Sequence, residues 1–514
     1  MKIPSQKLFN LIKTLSSAEK RYVKVFFGKS QVSDDKYILL FDAIDRQTEL
    51  NEVKLQRATY KKEKVEGKKF SELKNYLYLT LLRILQDFDK ENSINYRLRT
   101  MLGNIRVLYR RALYDECQDQ IARIRKIAET YEDFETLIEL IRWEKQIAHT
   151  KGDINFFSNN LQTVTNQELD FYKKLENITF YKNTFYEVYA TIRKQGLLGH
   201  EKMLAALSAT MGKKEMKNDK KALSKTAKIL FYRSRSIYAY ALLDHVKFYE
   251  DSKELLILME SYEEYMHEET SEYISALNNF IASCFARTRF EEAAAMLEKL
   301  RNVTPRTFDD KVKIHRQYYQ SKLQWCINTA SFEEGVEVIK RREKEKQEFD
   351  NQELIHSGFY YPYFYISFGA GEYELANDYL NEWLGATKTT DRQDLQLMAR
   401  LLSLILHFEM GNTTLIESLL RTTSYYISRH SDSAAFERLL LRFIREAHQS
   451  SSKKELIELL AVIKKDFETL AQDSTQSVFT QYFDFIAWLE SKISGKSFAQ
   501  TLKEKFQLKN VSNQ

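Results

Sequence analysis

Proline is nearly missing from this chain, with three residues in 514. Glycine is sparse too, at 14, and cysteine stops at three. Sheets need turn residues at short intervals, so this scarcity argues against all-β and α/β architectures. Cys117, Cys284 and Cys326 are too widely spaced for a disulfide framework or a zinc site. Each falls where a helix needs a small apolar residue, and a reducing compartment is expected. No apolar run is long: Leu401 to Leu406 is far short of the ~20 residues that span a bilayer. The opening residues MKIPSQKLFNLIKTL are broken by charge and lack a cleavage site, so no signal peptide is expected. A cytoplasmic protein with no membrane association is the resulting expectation. Charge of one sign is lacking as well. The 78 basic and 72 acidic residues leave +6, a mixed solvated surface rather than the composition of a nucleic-acid-binding protein.

What is present is helical periodicity. Around LNNFIASCFARTRFEEAAAMLEKLRNVTP, from Leu277 to Pro305, the preceding Ala276 with Phe280, Cys284 and Phe285 shares one helix face. A turn follows at Arg287 to Arg289. Phe290 opens a second helix, with Ala293, Leu297 and Leu300 along one side. Small Ala293 admits a close helix neighbour, and Pro305 lies beyond the helix end.

The same spacing recurs at Tyr114, Cys117, Ile121; Ile154, Phe157, Leu161; Tyr249, Ser252, Leu256; Phe332, Gly335, Ile339; Tyr373, Ala376, Leu380; Thr413, Ile416, Leu420; and Lys453, Leu456, Leu460. A poorer copy is read at Leu197, His200, Leu204. Ser331 with Glu334 and Ser452 with Glu455 read as capping boxes. An interval of about 40 residues is the signature of a stacked array.

The order aromatic, small residue, leucine, late proline (Phe290, Ala293, Leu297, Pro305) resembles the second half of a tetratricopeptide repeat. The tryptophan, glycine and tyrosine of the first half are not in place. The interval also exceeds the roughly 34 residues of that unit, so longer helices are expected, with HEAT-type pairing as the alternative. The resemblance implies an all-α fold, a right-handed α-solenoid (superhelix) of about nine antiparallel helix pairs over residues 96–470.

Both flanks depart from the repeat. Residues 1–95 read as a helical head: Leu8, Leu11, Ile12, Leu15; then Tyr22, Val25, Phe26 behind a Ser16–Glu19 capping box; then Tyr37, Leu40, Phe41, Ile44; then a long apolar helix from about Phe70. Residues 471–514 read as a capping helix marked by Phe479, Phe483, Ile486, Ala487 and Ile493, followed by a polar tail. A capped array avoids exposing its last apolar face.

Two lysine-rich runs carry the nucleic-acid hypothesis. Lys61, Lys62, Lys68 and Lys69 stand in the head, and Lys213, Lys214, Lys217, Lys220 and Lys221 in the longest gap between repeats. They would neutralise phosphates in a salt-dependent way. The alternatives are a solvated helix face diluted by Glu52, Glu63 and Glu66, and an inserted loop that becomes helical. The helix after Phe70 is too apolar for a recognition helix.

No catalytic constellation stands out. GxxxxGK[ST] and HExxH are absent, the histidines are scattered, and no serine sits in a nucleophile elbow. No enzyme, no cofactor and no metal is the expectation.

The resemblance implies that first helices line a concave groove. Carried over by position, this gives Arg142, Gln146, Asn278, Asn279, Gln320, Gln324, Tyr361 and Tyr365. Amides there would pair with an extended peptide backbone. Tyrosines of the dense segment Phe359 to Phe368 would hold its side chains, although that segment also suits core packing. The expected function is a scaffold for a peptide or protein partner. A ligand-gated regulator acting through the head, as in bacterial peptide-sensing tetratricopeptide regulators, is the second reading. Nucleic-acid binding is the third.

Overall fold

The computed structural model describes residues 5–29, 35–60, 67–89, 93–194, 200–345, 358–387, 393–430, 435–450, 452–471 and 483–512. Among them every regular element is a helix. The chain divides into two compact units, Met1–Ala276 with Thr304–Lys311 and Leu277–Val303 with Val312–Gln514. The divisions expected at 95/96 and 470/471 are not where these units part.

The first unit begins with α1 (Ser5–Thr14), α2 (Ser17–Lys29), α3 (Asp35–Arg46), α4 (Glu52–Tyr60) and α5 (Gly67–Asp89). These share a core of their own, in which Leu8, Ile12, Val23, Leu40, Phe41, Ile44, Leu77, Leu81 and Ile84 are buried. The Ser16–Glu19 box forms as expected: Ser16 N donates to Glu19 at 2.6 Å and Glu19 N donates to Ser16 Oγ at 3.2 Å. One expectation fails here. Tyr22, Val25 and Phe26 are exposed, and Val23 is the residue of α2 that enters the core.

The first unit continues with α6 (Ile94–Tyr109), α7 (Tyr114–Thr130), α8 (Phe134–Lys151), α9 (Leu161–Arg193), α10 (His200–Met211), α11 (Lys225–Ala241), α12 (His245–Glu260) and α13 (Glu263–Glu268). After α14 (Thr270–Ala286), the second unit holds α15 (Phe290–Arg301), and after α16 (Phe308–Asn328) come α17 (Phe332–Glu345), α18 (Tyr360–Gly369), α19 (Tyr373–Thr387), α20 (Gln393–Glu409), α21 (Thr413–His430), α22 (Ala435–Gln449), α23 (Lys453–Ala471), α24 (Phe485–Ser494) and α25 (Phe498–Ser512).

One turn joins these helices again and again. Ala112, Glu132, Gly152, Leu243, Thr288, Ala330, Gly371 and Gly411 all have positive φ. The next residue donates its N–H to the carbonyl five positions back, as in Leu113 to Leu108, Asp244 to Ala239, Ser331 to Cys326 and Glu372 to Ser367. This pairing closes the helix end with a left-handed residue. The following helix then starts at once, often under an aspartate: Asp133 accepts from Thr136 N at 3.0 Å and Asp244 from Lys247 N at 3.0 Å. The left-handed residue at five of these sites is not glycine, although each L-residue there costs about 1–2 kcal/mol. The scarcity of glycine therefore did not prevent sharp turns.

Most of the repeated triads lie where expected. Cys117, Ile121, Ala293, Leu297, Ile339, Ala376, Leu380, Ile416, Leu420 and Leu460 are all buried, as are the three free cysteines. Gly335 and Gly369 are close-approach positions: a Cβ would stand 2.7 Å from Ile366 in the first case and 2.6 Å from the Phe332 ring in the second.

Three readings are corrected. The turn at Glu132, which opens the helix carrying Arg142 and Gln146, had no glycine signal and was not read. At Tyr249, Ser252 and Leu256 the reading begins a full turn late, because α12 opens at His245. Ile154, Phe157 and Leu161 do not face a core: all three are exposed, Ile154 at 76%, and a π-helical turn at Phe156–Asn160 breaks the helical spacing between them. Of the poorer copy, Leu197 lies outside the described residues.

The C-terminal helices do more than cap the last hairpin. Trp488 of α24 donates Nε1–H to Glu409 at 2.6 Å, and Lys492 pairs with the same carboxylate. Phe483 and Phe498 lie against Phe368, with ring centroids 5.4 and 5.6 Å away. Phe498 also stacks on Phe332, and Phe506 reaches Phe290 at 5.1 Å. The segment thus runs back along the turns at Gly411, Gly371, Ala330 and Thr288. Phe479, expected within this helix, lies outside the described residues.

Candidate functional site

The first unit contains a cleft of about 700 Å³. Its walls come from the start of α6, the turn at Glu132, the second half of α9, the start of α11, and α13 with the start of α14. Tyr131, Phe185, Tyr186, Tyr189 and Tyr265 supply rings. Glu132, Asp133, Glu268, Glu269 and Glu272 supply acids against the cations Lys182 and Arg233. Tyr186 and Tyr189 are 52% and 47% exposed, so large amphipathic rings stand open beside carboxylates.

Most of these acids already serve the fold. Glu132, at the left-handed position of its turn, accepts from Lys225 N and Thr226 N, both at 2.9 Å. It thereby satisfies free N–H groups at the start of α11. Asp133 caps α8. Glu268 accepts from Ser93 Oγ at 3.0 Å and from Arg306 at 2.9 Å. Glu272 pairs with Arg233, whose guanidinium lies 4.2 Å from the Phe185 ring centroid.

Glu269 is the cleft acid held by no side-chain bond among the described residues. Desolvation in the cleft, with Glu272 and Glu268 adding repulsion, raises its pKa above the ordinary carboxylate value. Burial first, and Glu268 second, raise the Tyr131 phenol; burial and then Glu269 raise that of Tyr265. Both phenols are therefore neutral hydroxyls near neutral pH. A cation entering the cleft would find rings to stack on and an ionisable carboxylate whose charge it would stabilise.

Sequence reasoning missed this cleft. Its residues come from five stretches between Ile94 and Glu272, and none forms a motif. The one available signal was the run of aromatics along α9 that ends in Tyr186 and Tyr189.

The expected groove residues fall in both units. Arg142 and Gln146 are exposed on α8 in the first unit. Arg142 donates to Tyr172 Oη at 2.6 Å and Gln146 to Tyr109 Oη at 3.1 Å. In the second unit, Asn278 accepts from Ser321 at 3.2 Å, and Asn279 beside it is half-buried. The Gln320 side chain lies close to Gly358, so α14, α16 and the approach to α18 are neighbours. Gln324 donates to Asn328 within its own helix. Tyr361 lies against Trp383, the rings tilted with centroids 5.2 Å apart. Tyr365 is a correction: it is buried against Phe332, Phe483 and Phe498 and presents no groove surface.

Of the lysine runs, Lys61 and Lys62 lie outside the described residues. Lys68 and Lys69 are exposed at the start of α5. In the second run, Lys213 pairs with Glu187 at 3.0 Å and Lys214 approaches Glu215 at 3.7 Å, while Lys217, Lys220 and Lys221 point outward. This insert is two 3₁₀ turns pinned to α9. Asn177 donates to Lys221 O and accepts from Leu223 N, and Tyr181 donates to Glu215 O.

Among the described residues no group of three His, Cys, Asp or Glu side chains is arranged to hold a metal ion. Nor, among the described residues, is any helix long and apolar enough to cross a membrane. Comparison with protein-family models, characterised proteins and solved structures finds no match.

Proposed function

We propose that this chain is a non-enzymatic binding protein of tetratricopeptide-like helical hairpins, and that its acidic, tyrosine-lined cleft takes a basic side chain of a polypeptide partner. The observation that carries this reading is the pairing of Glu269, a cleft carboxylate with no side-chain bond among the described residues, with the half-exposed rings of Tyr186 and Tyr189. Aromatic faces attract a lysine or arginine head group, by about 0.5–2 kcal/mol each. The Glu269 carboxylate adds a charge-assisted bond. The row from Asn278 to Gln320 is a second polar surface on which an extended backbone would be held.

The test is fluorescence anisotropy with a labelled arginine- and lysine-bearing peptide and its glutamine-substituted counterpart. The basic peptide binds more tightly, and Glu269→Gln or Tyr186→Ala weakens it by roughly tenfold. Binding also weakens as pH falls through the raised pKa of Glu269, because the protonated carboxyl no longer attracts a cation. Equal affinity for both peptides, or binding indifferent to both substitutions, would remove the cleft from the argument.

A further inference from the structure

The head carries an apolar face that its own core does not use. Tyr22, Val25 and Phe26 on α2 are exposed, and so are Tyr76 (50%) and Leu79 (47%) on α5. The two helices pack on each other and run antiparallel: Tyr22 meets Phe88 near the end of α5, while Phe27 connects through Tyr37 to Tyr76. The exposed residues thus belong to two helices that pack on each other. Isolated exposed apolar residues need no explanation, but a clustered set marks an interaction surface.

The order of charges along α5 says what fits there. Its exposed residues Lys69, Glu72, Tyr76, Leu79, Arg83 and Gln86, with Asp87 beside the last, are spaced three and four apart. That is one stripe of a helix. Reading from one end gives plus, minus, apolar, apolar, plus, then neutral Gln86 with acidic Asp87 beside it. Reading from the other end inverts the signs of the inner pair Glu72 and Arg83. An identical stripe laid antiparallel puts Glu72 opposite Arg83, Lys69 opposite Gln86 and Asp87, and Tyr76 opposite Leu79, all around one two-fold axis. A parallel arrangement puts like charge on like and is penalised.

We infer that the α2–α5 face is a homodimer interface whose occupant is the same face of a second copy. This is an isologous contact, in which each pair occurs twice. The apolar centre contributes affinity, and the flanking charges set the antiparallel register. It is independent of the cleft.

Analytical ultracentrifugation of the full chain across a concentration series tests it. The wild type self-associates to a dimer. Glu72→Arg and Arg83→Glu each place like charges together twice and raise the dissociation constant by at least about tenfold. The double variant restores the pairing with signs exchanged, and the dimer returns. Circular dichroism melts of each variant separate loss of association from loss of folding, since both residues are exposed. A chain that stays monomeric up to about 100 µM, a protein–protein Kd in the weak range, overturns the inference. So does a dimer that ignores Glu72→Arg, or single-variant defects that the double variant leaves unrepaired.

Discussion

Two helices dense in aromatic residues met opposite fates. In α18, Tyr363, Phe364, Tyr365 and Phe368 are all buried. In α9, Tyr172, Tyr186 and Tyr189 remain exposed. Composition does not separate them; neighbours do. The α18 rings are enclosed by α17, α19 and the returning C-terminal segment. The Arg342 guanidinium lies 3.6 Å from the Phe359 ring centroid and donates to Tyr363 Oη at 2.8 Å. Tyr365 and Phe368 are closed over by Phe483 and Phe498. Among the described residues no comparable segment covers the Tyr186–Tyr189 face of α9, and both rings stay about half exposed beside the cleft. Aromatic density thus reports a demand for neighbours without saying whether those neighbours lie in the same chain.

The strongest way to break this contrast is to uncover α18. Phe498→Ala removes a ring that touches Phe332, Tyr365, Phe368 and Phe483, and is expected to destabilise the fold by about 3–5 kcal/mol. Urea unfolding measures this, and near-ultraviolet circular dichroism follows the tyrosines that lose their cover. A loss below about 1 kcal/mol, within the range of ordinary substitutions, would mean the segment does not enclose the helix. Gly369→Ala comes next: its methyl would stand 2.6 Å from the Phe332 ring, an overpacking cost of about 1–3 kcal/mol.

A smaller effect of opposite sign is expected at an exposed turn. Ala112, at φ 59°, pays a steric cost that glycine avoids, so Ala112→Gly should raise stability by up to about 1 kcal/mol. An unchanged or lower melting midpoint would show that the turn is already relaxed around its side chain. The smallest stability change belongs to α9. Tyr189→Ala should stay within about 0.5 kcal/mol of wild type in the same urea series, while its peptide affinity falls. A large loss would make Tyr189 a core residue and close the contrast from the other side.

The α-helical class was legible because periodicity and capping act within a few residues. Cys117 with Ile121, and Ala376 with Leu380, repeat at helical spacing wherever they fall, and the Ser16–Glu19 box needs only its own four residues. Turns at Gly152, Gly371 and Gly411 could be read because glycine tolerates left-handed backbone. The Glu132 turn could not be read this way: its carboxylate accepts bonds from Lys225 N and Thr226 N, contacts made across more than ninety residues. Of the candidate site little was legible. Tyr365 was assigned to a surface it does not reach, and Glu269 looked like one more acid in a charged helix.

By itself, then, the order of residues determined that the chain forms helices, roughly where many of them start, and which small residues admit close neighbours. These depend on local hydrogen bonds and helical spacing. Only the tertiary structure decided which faces are covered, because burial depends on partners far along the chain. Phe290 and Phe506 meet across more than two hundred residues. Ile94 and Glu272 line one cleft, and no local pattern in either stretch encodes that meeting.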